Sequence, residues 1–483
     1  MKKIVFIIFL ILCLSFNLFS QQSPKKYLDS YQQILYLLKQ NYVDESKIDY
    51  KVLINDSIAG MLKSLDPYTE FLDEELYKEF SIQTEGKYGG LGIIITLRDE
   101  ILTIISCFDG SPAAKAGILS GDQIVEIEGV STKVIKLSEA VKKMRGDPNT
   151  KVNISIYRNG FKDFLKFTLT RAIIQLKSIP VAYFVDKEIF YIKLVDFQKN
   201  ADKDLKQILD KAEKQKAKGI ILDLRNNGGG LLDQAIKISE IFLDYNKEIV
   251  STRTKEKNNN DVIYSSNYNP YNKPVVILIN QGTASASEIV AGALKHHGKA
   301  ILMGKKSFGK GSVQSIVNLT ENTALKLTIA KYYLPSGECI DGKGINPDIE
   351  VKEKQYSQLI YHFMRKDYFR KFAENFVLKN KKIDEKIEIT EDMFEQFIDI
   401  VKKDNFDFVK ELVTNEDLID ILKEKNIDLF SEFLTKNKLE ICKLLKTNIL
   451  MIAEGEETSS KYFIKWDINV QEAIKYLKEK ISK

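Results

Sequence analysis

Four short stretches of this 483-residue chain carry residues that could do chemistry. The first is Gly282–Thr283–Ala284–Ser285–Ala286–Ser287–Glu288. It follows an apolar run, Val275–Ile279, and precedes an Ala/Gly-rich run, Ile289–Leu294. Ser285 therefore falls at a strand-to-helix turn, where backbone N–H groups can stabilise an oxyanion. A plainer role fits the same residues. Ser285 and Glu288 match an S-x-x-E capping box, which needs no catalysis. Taken alone, the stretch reads as a cap.

A serine hydroxyl is a poor nucleophile until a base removes its proton. Histidine usually serves, but the chain has only His296, His297 and His362, none of them in a triad motif. A lysine can replace histidine when desolvation or nearby positive charge leaves its amine neutral. In the second stretch, Ser307–Phe308–Gly309–Lys310–Gly311–Ser312–Val313–Gln314, glycines flank Lys310 and allow an unusual backbone path into a tight site. The bland alternative is a surface lysine in a glycine turn, a description that suits Lys305 and Lys306 better.

The third stretch, Leu222–Asp223–Leu224–Arg225–Asn226–Asn227–Gly228–Gly229–Gly230, runs from a buried strand into three glycines. Such a turn points N–H groups into one space and suits an oxyanion hole. It equally fits a phosphate loop or a simple turn, although no G-x-x-x-x-G-K-[ST] pattern accompanies it. The fourth, Tyr88–Gly89–Gly90–Leu91–Gly92–Ile93, is a glycine loop leading into a strand. It can present N–H groups to a peptide's terminal carboxylate, the strand edge pairing with the peptide backbone. A β-turn without ligand is the alternative.

The elements that must position these residues fall into blocks. Residues 25–84 read as helical, with Tyr27, Tyr31, Ile34, Leu35 and Leu38 in one stripe and Asp66–Pro67 ending a second helical stretch. Residues 85–172 are β-rich: Ile93–Leu97, Ile101–Ser106, Gln123–Glu128 and Val152–Tyr157 are strand candidates, and Ser111–Pro112 opens a short helix. Residues 173–352 alternate strands and helices and predict an α/β core. Its strands are Ile189–Val195, Gly219–Leu224, Val275–Ile279, Ala300–Met303 and Leu325–Tyr333; its helices span about 201–217, 231–243 and 285–296. Residues 353–483 contain no proline and a single glycine, Gly455, and read as a helical appendage.

Composition excludes several classes. With 72 basic and 67 acidic side chains the net charge is only +5, which argues against a nucleic-acid binder. Lys2 and Lys3 precede the apolar run Ile4–Leu18, and Gln21–Gln22–Ser23 follow. That pattern predicts an export signal over residues 1–20, shorter than the about 20 apolar residues of a membrane span. Cleavage near Ser20–Gln21 and retention as an anchor both remain open, and Leu12 before Cys13 argues against lipid attachment. Cys107, Cys339 and Cys442 lie far apart, so neither a metal site nor a disulfide framework is implied.

Taken together, the four stretches resemble the carboxy-terminal processing proteases, also called tail-specific proteases. Gly282–Ala293, Phe308–Gln314, Gly219–Leu232 and Tyr88–Ile93 carry the likeness, with Ser64–Tyr68, Pro335–Gly337 and Gly344–Asp348. The resemblance covers roughly residues 28–351. It implies a crotonase-like α/β protease core, with an inserted PDZ domain at 85–172 between the helical N-terminal segment and the C-terminal extension. By the same resemblance Ser285 is the nucleophile, Lys310 the general base and Gln314 the group that orients it. Backbone amides of Gly229 or Gly230 and of Ala286 form the oxyanion hole. Gly90, Leu91, Gly92 and Ile93 make the carboxylate loop, and Arg145 links peptide sensing to the active site.

The implied enzyme is an exported serine endopeptidase, periplasmic or on the outer face of the inner membrane. It needs no cofactor and acts on proteins with accessible apolar C-terminal tails. Its helical flanks suit a homodimer. A non-catalytic peptide-binding scaffold or chaperone would keep the glycine loop without needing Ser285, Lys310 and Gln314 together. A crotonase-like acyl-transfer enzyme would bind coenzyme A and lack the peptide module.

Overall fold

Two runs, Gly219–Asp223 and Val275–Ile279, are buried at every position. A strand that is apolar throughout needs cover on both faces, which a parallel sheet between helices supplies. The computed structural model shows that arrangement. It describes residues 24–482 apart from 99–100, 109, 120, 159, 257–259, 353–355, 381–382 and 404–428. The expected export signal and Cys13 lie outside the described residues. The chain divides into two units, Met1–Tyr77 with Gln314–Thr328, and Lys78–Val313 with Ile329–Lys483.

The first unit holds helices α1 (Lys25–Asn41) and α2 (Tyr50–Lys63) and strand β1 (Glu70–Leu72). Asp49 starts α2 by accepting the N–H groups of Lys51 and Val52. The predicted stripe on α1 is only half-buried at Tyr31, Leu35 and Leu38. Asp66 shapes the following turn by accepting the N–H groups of Tyr68 and Thr69 and the Thr69 hydroxyl, each at 2.7 Å. β1 pairs antiparallel with Ala324–Lys326.

Helix α3 (Glu74–Glu85) leads to the β-rich module. Its elements are β2 (Lys87–Gly90), β3 (Ile93–Arg98), β4 (Ile101–Cys107), α4 (Pro112–Lys115), β5 (Gln123–Ile127), β6 (Val130–Ser131), α5 (Leu137–Met144), β7 (Lys151–Tyr157), β8 (Leu165–Thr170) and β9 (Ala172–Gln175). The order β3-β4-β5-β7-β8 leaves β3 at an edge. Leu91, Ile104, Ile124, Ile127, Ala140, Val152, Ile154 and Ile156 close its own core. β2 and β9 pair as the two strands through which the chain enters and leaves.

The α/β core contains β10 (Val181–Phe184), β11 (Ile189–Lys193), α6 (Ala201–Lys214), β12 (Gly219–Asp223), α7 (Leu232–Phe242), β13 (Glu248–Thr254), β14 (Asp261–Tyr264), β15 (Val275–Ile279), α8 (Ala286–His296), β16 (Ile301–Gly304), β17 (Ser312–Asn318), β18 (Ala324–Tyr333) and β19 (Ile349–Glu350). One six-stranded sheet runs β10-β11-β12-β15-β16-β19, parallel from β11 onward. Side chains alternate across it. Ile220, Leu222, Ile277 and Ile279 face α6, α7 and α8. Ile221, Val276 and Leu278 face the other way.

What covers that second face is the end of the chain. Helices α9 (Gln358–Arg365), α10 (Tyr368–Lys379), α11 (Glu391–Lys403) and α12 (Leu429–Ala453) pack together around Phe363, Phe369, Phe372 and Phe397. α13 (Glu456–Phe463) then leads to α14 (Ile468–Ile481), whose Val470, Ala473, Ile474 and Leu477 lie on the sheet. The tail is helical as expected, but its last helix is built into the core rather than appended to it. Burying Val470, Ile474 and Leu477 is worth about 5–9 kcal/mol at about 1.5–3 kcal/mol each. Among the described residues no helix is long and apolar enough to cross a membrane.

Candidate active site

β15 ends in the turn that presents Ser285. Asn280 N–H donates to the Thr283 hydroxyl, which donates to the Leu224 carbonyl, both at 2.9 Å. These bonds tie the turn to the end of β12. Ser285 is half-buried and adopts φ 56°, ψ −118°. That region is rare for a residue with a side chain and costs about 1–3 kcal/mol.

Glu288, one helical turn on, holds the strained serine in place. It is fully buried, and Oε2 accepts the Ser285 N–H at 2.9 Å, one half of the expected capping box. The same carboxylate does more than cap. Oε2 also accepts the Lys310 N–H at 2.9 Å, while Oε1 accepts the Ser307 hydroxyl at 2.6 Å and the Gly309 N–H at 2.8 Å. Burial pushes its carboxyl above the ordinary glutamate range, against the pull of these four bonds.

Ser285 and Lys310 are thus brought together by a shared acceptor. A second tie comes from Tyr332 on β18, itself buried. Its hydroxyl donates to the Lys310 carbonyl and lies 3.3 Å from the Ser285 carbonyl oxygen. The glycines beside Lys310 are dictated by packing. A Cβ on Gly309 would stand 2.5 Å from the Gly344 nitrogen, and one on Gly311 2.7 Å from the Asp341 nitrogen. Two of the three histidines stand away from this point. α8 spans 11 residues, so His296 and His297 lie about 16 Å along its axis from Ser285. His362 sits on α9.

The glycine turn Gly228–Gly230 also reaches Ser285. Asn227 staples it: Nδ2 donates to the Leu194 carbonyl, Oδ1 accepts the Gly229 N–H, and the main-chain carbonyl accepts from Ala284 N–H and the Ser287 hydroxyl. A Cβ on Gly229 would lie 2.8 Å from Ser285 Cβ and 2.9 Å from the Ala286 nitrogen. Of the expected oxyanion donors, Gly229 N–H is therefore satisfied within the turn. Gly230 is exposed, and among the described residues neither its N–H nor that of Ala286 has a hydrogen-bond partner. Gln314 belongs to the first unit, where its amide donates to Thr328 Oγ1 at 3.2 Å, and that hydroxyl donates to Asp66.

In the β-rich module Gly90, Leu91 and Gly92 are buried, and Ile93 opens the edge strand. Gly92 has φ +72°, and a Cβ there would meet Ser111 Cβ at 2.4 Å. Carbonyls of Leu91 and Gly92 accept the N–H groups of Ala113 and Phe108. Arg145 lies beside this loop. Its guanidinium stacks over the Tyr88 ring at 4.7 Å and pairs with Glu79 on α3. Burial pushes the Tyr88 phenol above its ordinary value.

Sequence reasoning missed Tyr332, Asn227 and the reach of Glu288 to the lysine loop. Only Glu288 left a signal, the S-x-x-E spacing. Among the described residues no group of three or more His, Cys, Asp or Glu is placed to hold a metal ion.

A family model described as peptidase family S41 matches residues 188–351, and one described as a PDZ domain matches residues 108–158. The chain is 43% identical over 341 residues to a carboxy-terminal-processing protease of Bartonella bacilliformis, covering 69% of this chain and 77% of that one. It is 36% identical over 340 residues to the carboxy-terminal processing protease CtpA of Bacillus subtilis, covering 70% and 71%. A carboxyl-terminal-processing protease of Synechocystis is 38% identical over 327 residues, covering 66% and 75%. Similarity at this level over most of each chain leaves no room for the scaffold or acyl-transfer alternatives: the chain is a serine-type peptidase and belongs to family S41, among the carboxy-terminal processing proteases.

Proposed function

We propose that this peptidase docks a protein's C-terminal tail on its PDZ domain and cleaves the substrate with a Ser285–Lys310 dyad. The observation that carries the reading is the sharing of one buried carboxylate oxygen, Glu288 Oε2, by the N–H groups of Ser285 and Lys310. Two loops are tied at the two residues whose side chains have to meet.

Neutral Lys310 Nζ takes the Ser285 hydroxyl proton as Oγ attacks the substrate carbonyl. The amides of Ala286 and the glycine turn hold the oxyanion, Gly230 being the member whose N–H is free. The tetrahedral adduct collapses, Lys310 returns the proton to the leaving amine, and an acyl-serine remains. Water, deprotonated by Lys310, then releases the acid and restores the serine. Gln314 takes the orienting role that the family resemblance assigns it. In the PDZ domain the Gly90–Ile93 loop receives the terminal carboxylate and the β3 edge takes the tail as an added strand. Arg145, held by Tyr88 and Glu79 beside that loop, is the residue through which docking is sensed. Export through the N-terminal segment belongs to the same reading and rests on the sequence.

The test uses one folded substrate bearing a free or an amidated apolar tail, with wild type, Ser285→Ala and Lys310→Ala. Both variants should be inactive yet fold, and amidation should slow the wild type severalfold. Wild-type cleavage by Ser285→Ala would end the dyad; equal rates on both tails would end carboxylate recognition.

A further inference from the structure

Arg225 joins the buried strand β12 to the turn Asn226–Gly230 that approaches Ser285, and its side chain is caged. Nε and Nη2 donate to Asp223 Oδ1 and Oδ2 at 3.0 and 2.7 Å. Nη1 and Nη2 donate to Asp467 Oδ1 and Oδ2 at 3.1 and 2.7 Å. Tyr191 donates its hydroxyl to Asp223 at 2.7 Å, and Lys193 Nζ lies 3.2 Å from Asp223 while donating to the Arg225 carbonyl at 2.7 Å. The Arg225 side chain is 14% exposed and those of Asp223 and Asp467 1% and 10%.

Two acids and two bases balance in this cage. Against the burial that raises it, the Arg225 and Lys193 charges hold the Asp223 carboxyl well below its usual range; burial pushes Lys193 down. Asp223, Arg225, Lys193 and Tyr191 all fall in the family-matched segment 188–351, but Asp467 does not. It is the residue that starts α14, its Oδ1 also accepting the N–H groups of Asn469 and Val470 at 3.0 and 3.3 Å. Removing it leaves two cations, Arg225 and Lys193, facing one anion at the base of the turn. The next residues are the ones that matter for the site. Asn226 has φ 59° and exchanges hydrogen bonds with Asn280 at 2.9 Å, and Asn227 staples Gly229, Ala284 and Ser287.

We infer that Asp467 is a positioning residue for the glycine turn, so that the C-terminal helix serves the chemistry as well as the stability of the core. The inference rests on Ser285 being the nucleophile. It acts through Arg225 and touches no substrate.

Asp467→Asn in the full-length chain separates the two roles, because asparagine still caps a helix but carries no charge for Arg225. The measurements are kcat and KM on a tailed protein substrate, the thermal midpoint, and the fraction of Ser285 titrated by a fluorophosphonate. The expected result is a kcat at least tenfold lower per titrated site, with KM within twofold and the midpoint within a few degrees. Asp467→Glu should recover at least threefold of that loss. Wild-type kcat per titrated site in Asp467→Asn, whatever the midpoint, overturns the inference, as does a loss that only tracks the fraction folded. If the amide variant does not fold, Asp467→Ser, also a good cap, is scored by the same criteria. A dead Ser285→Ala beside a fully active Asp467→Asn sinks this inference alone; an active Ser285→Ala sinks the nucleophile beneath it.

Discussion

Replacing Glu288 by glutamine tests whether one buried carboxylate sets the dyad. The carboxylate accepts four donors, and three are backbone N–H groups that cannot turn round. The fourth, Ser307, can accept once its hydroxyl rotates, although it already accepts the Ile345 N–H at 2.6 Å. Glutamine has one oxygen. Its better orientation keeps that oxygen toward Ser285 and Lys310 and points the NH₂ at Ser307 and Gly309. The Gly309 N–H then faces a donor. Leaving one buried N–H unsatisfied costs about 1–3 kcal/mol. If that loss falls on the placement of Lys310 in the transition state, kcat drops about 5- to 150-fold. Initial rates on a tailed substrate, normalised by fluorophosphonate titration, give the number. Acidity adds an internal control. Burial raises the Glu288 carboxyl, so it takes a proton at higher pH than an exposed glutamate. Protonated Glu288 resembles glutamine, and the wild-type-to-variant ratio of kcat should shrink as pH falls through that raised value. Stability moves in the opposite direction, because the folded form keeps the proton to higher pH. Wild type therefore gains on the variant at acid pH and loses that gain as pH rises from the ordinary glutamate range to the raised one. A variant with wild-type kcat, or a ratio flat with pH, would refute the reasoning.

Two glycines give sharper steric tests. Gly309→Ala places a Cβ 2.5 Å from the Gly344 nitrogen at φ +92°; it should cost about 1–3 kcal/mol in strain alone, lower the thermal midpoint by several degrees and depress kcat. An unchanged midpoint and rate would show that the lysine loop is not so constrained. Gly92→Ala brings its Cβ to 2.4 Å from Ser111 Cβ. Its affinity for a free-carboxylate peptide should fall at least tenfold by fluorescence anisotropy, while a short unstructured substrate without a tail is cut within twofold of wild type. Undiminished peptide affinity would remove the Gly90–Ile93 loop from tail binding.

Much of the fold is legible because its strands are unbroken apolar runs. Val275–Ile279 has the same bounds in sequence and structure, and Ile93–Leu97 differs from the observed strand only by Arg98. Short or polar strands were harder: nothing in Val181–Phe184 or Glu248–Thr254 sets them apart from loop without their partners. At the site, local spacing marked Ser285 as a turn or cap residue and drew attention to the glycines around Lys310; their proposed roles came from the family resemblance. Tertiary partners remained hidden. Glu288 reaches residues 19 to 22 positions away, and Asp467 reaches Arg225 across 242. Tyr332 reads as one more aromatic in a strand until its hydroxyl is seen between two carbonyls. The tail read as helical, but that reading does not say which surface α14 will cover.

The energetics explain why an acid is buried beside Ser285. Ser285 at φ 56°, ψ −118° carries about 1–3 kcal/mol of backbone strain, and a loop left to itself would relax it. A hydrogen bond to a charged acceptor contributes about 1.5–3 kcal/mol, so the Glu288 bond to the Ser285 N–H offsets the strain by itself. The bonds to Ser307, Gly309 and Lys310 are then available to fix the second loop. Four donors occupy the lone pairs of Glu288, so the proposed mechanism gives it no part as general base although it sits against both loops. Among the described residues, that carboxylate ties the backbone of a basic residue, Lys310, to the backbone of the serine. In the proposed mechanism proton transfer falls to the Lys310 amine, and the carboxylate's charge serves the geometry of the two loops.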